Sequence, residues 1–288
     1  MTGTSDVVLI HGAWHGAGHF AALAKELTAM GHRVLALDLA GHGSRARFPV
    51  SYLARDVEAL RTEVSPLADL TLDDVARDVV ATLRRLPAPP VVAAHSMGGA
   101  VATRVAEIAP ELVAGLVYVA AFVPTLLGSS GAYLDLPEAK TALGGGLYLG
   151  DPAAVGAVRI DPRSTDPAYQ AELHAAYFSD LDRPDFLALA ASLTPDQPMS
   201  FLTTATGATA GRWGTVPRTY LRTTLDRALP VELQDVMIRH ADELAPATAF
   251  TQVTVEAGHA VFAGVPAEVA DVIHHAEARP EWRRAARG

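Results

Sequence analysis

The segment VVAAHSMGGAV, residues 91–101, places a serine between an apolar run and two glycines. Residues 91–94 have the character of a buried strand, and residues 98–109 have the spacing of a helix. A sharp turn from strand to helix exposes a serine hydroxyl above a sheet, as in the G-x-S-x-G nucleophile turn, although Ala94 stands in place of its first glycine. We therefore predict that Ser96 is a nucleophile; the alternative is a turn that only connects the two elements.

Strand-like and helix-like segments alternate on both sides of this turn. The predicted strands are 7–10, 34–39, 91–94, 116–122, 218–223 and 252–256, and the main predicted helices are 20–30, 71–86, 98–109, 231–241 and 266–278. This alternation predicts an α/β fold, a mostly parallel sheet of about six strands with helices on both faces. Residues 125–215 interrupt this alternation with prolines, glycines and short helical pieces, and the segment is too long for a loop. We interpret them as a lid inserted between two parts of one core, 1–124 and 216–288.

Composition narrows the classes of function. The chain has 288 residues, half of them hydrophobic, a formal net charge of −9 and no cysteine. Disulfides, thiolate metal sites and a cysteine nucleophile are excluded, and a nucleic-acid partner is not expected. The polar start MTGTSD runs directly into a strand, and no apolar run approaches a membrane span, so we expect a cytoplasmic protein without a membrane partner.

A serine hydroxyl needs a base and an acid that orients the base. His259 follows a predicted strand and an Ala-Gly turn, and Asp226 follows the strand 218–223. Both positions lie at carboxyl ends of strands, where α/β proteins bind ligands. We therefore predict a Ser96–His259–Asp226 triad. Competing acids are Asp242, Glu243 and Glu256.

The segment HGAWHGAGHF, residues 11–20, follows the first predicted strand. Its first glycine turns the chain so that the Ala13 amide points toward Ser96. Together with the Met97 amide at the start of the following helix, this predicts an oxyanion hole with two donors.

These segments, together with LDLAGHG (37–43), RTYLRTTLD (218–226) and EAGHAVF (256–262), resemble the α/β-hydrolase superfamily in order and spacing. The resemblance covers nearly the whole chain and is strongest to the compact branch that contains plant methylesterases and hydroxynitrile lyases. It implies the same triad and the same two oxyanion amides. It also implies a chain that acts without a metal or cofactor on a small-molecule substrate.

Two positions depart from the pattern of the lyases, whose site has a threonine beside the HG turn and a lysine after the histidine. This chain has Gly12 and Ala260 there. Without the ammonium group, stabilisation of departing cyanide is poor, so we expect hydrolysis of a carboxylic ester or lactone. Three alternatives stay open: C–C bond hydrolysis or cofactor-free haloperoxidase activity on the same triad, a non-hydrolytic small-molecule-binding protein, and a cyclase-like tailoring enzyme.

Aromatic and apolar residues near these motifs predict a small apolar or aromatic substrate. The predicted substrate contacts are Trp14, Phe122, Tyr148, Tyr177, Phe178, Met199 and Phe201. The long segment 44–69 is unusual for the compact branch, and its residues 51–63 are predicted to form a helix. The sequence leaves open whether this segment covers the edge of the site or forms a homodimer face.

Overall fold

The computed structural model describes residues 6–276, so the ends of the predicted core, 1–5 and 277–288, lie outside the described residues. The strands are β1 (Asp6–Ile10), β2 (Arg33–Leu37), β3 (Val91–His95), β4 (Gly115–Val119), β5 (Ala157–Arg159), β6 (Asp196–Pro198), β7 (Arg218–Thr223) and β8 (Thr251–Val255). Six of them form one parallel sheet in the order β2-β1-β3-β4-β7-β8. The predicted α/β class and the six-stranded parallel sheet are confirmed.

Helices connect these strands. They are α1 (Ala21–Ala29), α2 (Val50–Ala54), α3 (Val57–Leu60), α4 (Leu72–Leu83), α5 (Gly98–Ile108), α6 (Ser130–Leu134), α7 (Pro152–Val155), α8 (Pro167–Tyr177), α9 (Arg183–Ala190), α10 (Ser200–Thr203), α11 (Val231–Leu244), α12 (Val261–Gly264) and α13 (Pro266–His275). Within residues 6–276, no helix combines the length and apolar character needed to cross a bilayer.

The sheet is covered on both faces because its strands are apolar on both sides. Along β1, Val8 and Ile10 belong to one buried cluster and Val7 and Leu9 to the other, as the two-residue period of a strand requires. The first cluster takes side chains from α4, α5 and α11, and the second takes them from α1 and α13. Buried side chains therefore pack on both faces of the sheet, and this packing fixes the positions of the carboxyl ends of its strands.

Residues 120–217, between the neighbouring strands β4 and β7, form what we call the inserted segment. It contains α6–α10 and the antiparallel pair β5–β6. Arg159 of β5 and Asp196 of β6 form an ion pair of 2.6 Å whose side chains are almost fully buried. Removing either partner would leave an uncompensated buried charge, so this pair fixes the geometry of the segment. The division into core and lid stays a prediction.

The single helix predicted over 51–63 is wrong. The chain forms α2 and α3 instead, because Arg55 adopts a left-handed conformation with φ of 60°. The Asp56 side chain then accepts a hydrogen bond from the Ala59 amide and caps the N-terminus of α3.

The 44–69 region packs against the inserted segment. The Ser65 amide donates to the Val155 carbonyl at 2.8 Å, and the guanidinium of Arg159 donates to the Glu63 carbonyl at 2.7 Å. This region therefore supports the inserted segment from outside, and its place as a homodimer face stays a prediction.

Candidate active site

The turn after β3 is strained and tightly packed. Ser96 has φ of 52°, a left-handed conformation that residues other than glycine rarely adopt. A Cβ atom on Gly98 would lie 2.5 Å from the His11 carbonyl oxygen, and one on Gly99 would lie 2.1 Å from that of Phe122. Only glycine permits these approaches, so the two glycines after Met97 allow the turn to sit directly against neighbouring loops.

The structure brings the three predicted triad side chains together. His259 Nε2 lies 2.9 Å from Ser96 Oγ, and His259 Nδ1 lies 2.8 Å from Asp226 Oδ2. All three residues are buried. A carboxylate can only accept, so Nδ1–H donates to Asp226 and Nε2 is left to accept the Ser96 hydroxyl proton. This is the tautomer that a general base requires.

Asp226 is held by several further donors. Its Oδ1 accepts from the amides of Ala228 and Leu229 at 2.9 and 2.8 Å, and its Oδ2 accepts from Thr223 Oγ1 at 3.2 Å. These donors fix the carboxylate at the end of β7. The competing acid Asp242 instead accepts from the Phe250 amide at 2.8 Å, so its carboxylate stabilises the loop directly before β8.

Ala13 and Met97, the predicted oxyanion donors, both line the same cavity as Ser96 and His259. Within the described part of the chain, neither backbone amide donates to another residue. Met97 is also the residue before α5, so the positive end of that helix dipole lies at the turn. A Cβ on Gly12 would lie 2.8 Å from Ser96 Cβ, so glycine there lets the 11–14 turn approach the serine.

The cavity has a volume of about 210 Å³. Four predicted substrate contacts line it, namely Trp14, Phe122, Tyr148 and Tyr177. The inserted segment contributes further residues that sequence reasoning missed, which are Leu134, Ala139, Ala142, Leu143, Gly145, Val158, Gln197 and Leu202. Ala228 and Leu229, beside Asp226, were also missed. All but Gln197 are small or aliphatic residues, and they are scattered over short helices, the β5–β6 pair and loops, where no periodicity or motif distinguishes cavity wall from core.

Three aromatic rings form one wall of the cavity. Trp14 lies 5.4 Å from Tyr177 and 6.5 Å from Tyr148, measured between ring centroids, and Tyr177 lies 5.7 Å from His259. The Trp14 indole N–H donates to the Val158 carbonyl at 2.9 Å, which ties the 11–14 turn to the inserted segment. Burial raises the pKa of both tyrosine hydroxyls, so each remains a neutral hydrogen-bonding group.

The remaining predicted contacts, Phe178, Met199 and Phe201, lie away from the cavity wall. Phe178 is fully buried beside Phe186 and His15, with ring centroids 5.6 and 5.8 Å away. Phe201 belongs to the buried cluster on the opposite face of the sheet, and Met199 packs at the margin of the second cluster. The expected cavity contacts Phe178, Met199 and Phe201 therefore pack with the two apolar clusters that cover the sheet, outside the cavity lining.

Histidine rings fill the space behind the oxyanion turn. The rings of His15 and His19 pack on each other with centroids 4.5 Å apart, outside the cavity lining. Burial lowers the pKa of His15 and His95 well below the usual range and that of His11 to about 3. These rings are therefore neutral at physiological pH, and His259 is the histidine that lines the cavity.

Comparison with known proteins identifies the family of the chain. Residues 7–272 match the alpha/beta hydrolase family. Salicylic acid-binding protein 2 of Nicotiana tabacum is 30% identical over 231 residues, which cover 79% of this chain and 81% of that protein. Methylesterase 7 of Arabidopsis thaliana is 35% identical over 120 residues, 41% of this chain and 40% of that protein. The solved structure of a pyrethroid hydrolase from Sphingobium faniae JZ-2 superposes with a TM-score of 0.70 at 22% identity, covering 94% of this chain and 96% of that one, and so shares the fold. The chain belongs to the alpha/beta hydrolase family and is related within it to the plant methylesterases.

Proposed function

We propose that the protein is a carboxylesterase that hydrolyses small, uncharged esters or lactones through an acyl-enzyme on Ser96. The observation that carries the proposal is the hydrogen-bonded series Ser96–His259–Asp226 opening onto an apolar cavity that Ala13 and Met97 also line. Similar sequences named as a methylesterase and a pyrethroid hydrolase support this class of reaction.

In the acylation step, Ser96 Oγ attacks the carbonyl carbon while His259 Nε2 accepts the hydroxyl proton. The electron pair of the C=O bond moves to the carbonyl oxygen, where the amides of Ala13 and Met97 donate hydrogen bonds. Asp226 stabilises the imidazolium through Nδ1–H. When the tetrahedral intermediate collapses, the bond to the alkoxy group breaks and His259 Nε2–H protonates the departing oxygen.

In the deacylation step, water takes the place of the alcohol. His259 removes a proton from this water as its oxygen attacks the acyl carbon, and then returns the proton to Ser96 Oγ. The products are a carboxylic acid and the free enzyme. Each oxyanion donor contributes on the order of 10²–10³-fold in rate.

The cavity defines the substrate class. Its volume of about 210 Å³ is below the roughly 300–1,000 Å³ typical of sites for drug-sized ligands. The described residues that line it include no Asp, Glu, Lys or Arg, so a charged acyl group would lose its hydration without gaining an ionic partner. Short or aromatic uncharged esters fit both properties.

Active-site labelling tests the proposal directly. The protein is treated with a fluorophosphonate, the adduct is located by mass spectrometry, and hydrolysis of p-nitrophenyl acetate, methyl benzoate and anionic monomethyl succinate is measured. We expect an adduct on Ser96 and turnover of the two neutral esters in preference to the charged one. An unmodified Ser96 together with absent ester turnover would refute the assignment.

A further inference from the structure

The backbone of the His259 loop is held from two sides by groups outside the triad. His95 Nε2 lies 2.9 Å from the His259 carbonyl oxygen. Since a carbonyl only accepts, this nitrogen carries the proton and donates. From the other side, Asp180 Oδ1 accepts from the Gly258 amide at 2.5 Å.

Asp180 comes from the inserted segment, between α8 and α9, and the loop is shaped to admit it. A Cβ on Gly258 would lie 2.9 Å from Asp180 Oδ2 and 2.4 Å from Ser179 Oγ. A Cβ on Gly264 would lie 2.4 Å from Asp180 Cβ. Because Gly258 and Gly264 have no side chain, the Asp180 side chain can pack directly against the backbone of this loop.

The amide that Asp180 binds belongs to Gly258, the residue directly before His259. Fixing this amide, together with the His259 carbonyl that His95 holds, restrains the direction in which the Cα–Cβ bond of His259 points, and so the position of Nε2 relative to Ser96 Oγ. We propose that Asp180 is a positioning residue for the general base, supplied by the inserted segment. The inference rests on the proposed function, because it assigns a role to Asp180 through His259.

The alternative is a carboxylate that stabilises the loop without affecting the reaction. Burial, followed by repulsion from Asp226, raises the pKa of Asp180, so its ionised form is poorly solvated at this position. A neutral isostere at this position therefore distinguishes a role in stability alone from an electrostatic effect on His259, which lies across the loop.

The test compares Asp180→Ala and Asp180→Asn with Asp182→Asn. Asp182 is a matched control because it caps α9 by accepting from the Asp185 amide, away from the His259 loop. In Asp180→Ala we expect kcat to fall on the order of 10²-fold, the size of effect that about 1 Å of misplacement causes, with KM within about twofold. Asp182→Asn should retain wild-type kcat and KM.

Asp180→Asn keeps an acceptor for Gly258 and loses the charge. We expect kcat within about fivefold of the wild type, consistent with a retained neutral hydrogen bond. The acid limb of the kcat/KM–pH profile should move to lower pH, because removing a negative charge disfavours the protonated imidazole. The charged and titratable groups facing His259 are Asp226, Asp180, His95 and Tyr177, and only Asp180 is altered. Thermal unfolding at pH 7 should show no loss of stability in Asp180→Asn.

The rate of fluorophosphonate labelling at Ser96 separates the possible failures. An unlabelled wild-type Ser96 overturns the proposed function itself. A labelled wild type with an equally fast Asp180→Ala variant overturns only the role of Asp180. If Asp180→Ala does not fold, an Asp180→Asn variant with an unshifted acid limb also overturns that role.

Discussion

The carboxyl edge of the sheet and the inserted segment contribute to the same cavity in different ways. Ser96, Asp226 and His259 follow β3, β7 and β8, so the parallel register of the sheet brings them to one edge. The inserted segment contributes cavity residues from short helices, from loops and from the antiparallel β5–β6 pair, where Val158 lies opposite Gln197. The sheet edge therefore supplies the reacting groups at fixed positions, whereas the inserted segment supplies the shape of the substrate space.

The two neighbours Tyr177 and Phe178 illustrate the difference. They are adjacent in sequence at the end of α8, yet Tyr177 lines the cavity and Phe178 lies in the core. Successive residues of a helix point about 100° apart, so one faces the substrate and the next does not. Composition alone cannot distinguish them, because both are large aromatic residues.

The largest expected effect is at the sheet edge. Ser96→Ala removes the nucleophile, and kcat should fall by on the order of 10⁶-fold, as removal of a triad serine does elsewhere. Thermal unfolding should stay close to that of the wild type, because the change removes one oxygen atom. Ser200→Ala, which removes a hydroxyl bonded to the Leu70 carbonyl, is the matched control and should keep full activity. Substantial turnover by Ser96→Ala would mean that another group attacks the ester.

The next largest fall in kcat is expected when the acid of the triad is replaced. Asp226→Asn keeps the shape of the side chain but cannot hold His259 in the productive tautomer, and kcat should fall about 10⁴-fold. Asp242→Asn should leave kcat nearly unchanged, because its carboxylate bonds with the Phe250 amide. Steady-state kinetics on one neutral ester compare the two variants. The reverse ranking would move the acid of the triad to Asp242.

Sequence reasoning succeeded where local patterns and strand ends decide the position. The turn at Ser96, the strand before Asp226 and the loop at His259 are each recognisable from a short local stretch of sequence. It failed over 51–63, where Arg55 in a left-handed conformation divides the predicted helix. It also missed Asp180 and Gln197, because their place beside the site depends on how the inserted segment folds back over the sheet. Contacts of that kind leave no local signature.

Tyr148 and Phe178, both in the inserted segment, allow a cavity-wall position to be compared with a core position. Tyr148 is 38% exposed and lines the cavity, so Tyr148→Ala should raise KM several-fold for aromatic esters with little change in thermal stability. Phe178→Ala should lower the free energy of unfolding by about 3–5 kcal/mol, the usual effect of truncating a buried phenylalanine, with KM of the folded fraction unchanged. Urea unfolding and initial rates measure the two effects. A stable Phe178→Ala variant with a raised KM would place Phe178 in the cavity after all.

The smallest effect concerns the buried histidines behind the sheet edge. The Leu39 amide donates to His11 Nε2 at 3.1 Å, so this nitrogen must stay unprotonated in the folded chain, in accord with a pKa of about 3. An unfolded chain binds a proton at the usual pKa of 6.5. The stability that neutral His11 contributes is therefore complete above pH 6.5 and is lost as the pH falls toward 3. The lowered pKa values of His15 and His95 act in the same direction.

Urea unfolding between about pH 7.5 and 4.5 measures this loss. Each such histidine should lower the free energy of unfolding by up to about 1.4 kcal/mol per pH unit below roughly pH 6.5. His11→Gln should be less stable at pH 7 but should lose less stability on acidification, because it has no proton to exclude. His275→Gln, at an exposed position outside this cluster, controls for the change in net charge. If His11→Gln shows the same acid slope as the wild type, the acid sensitivity arises elsewhere, and the sheet edge does not depend on a neutral ring at His11.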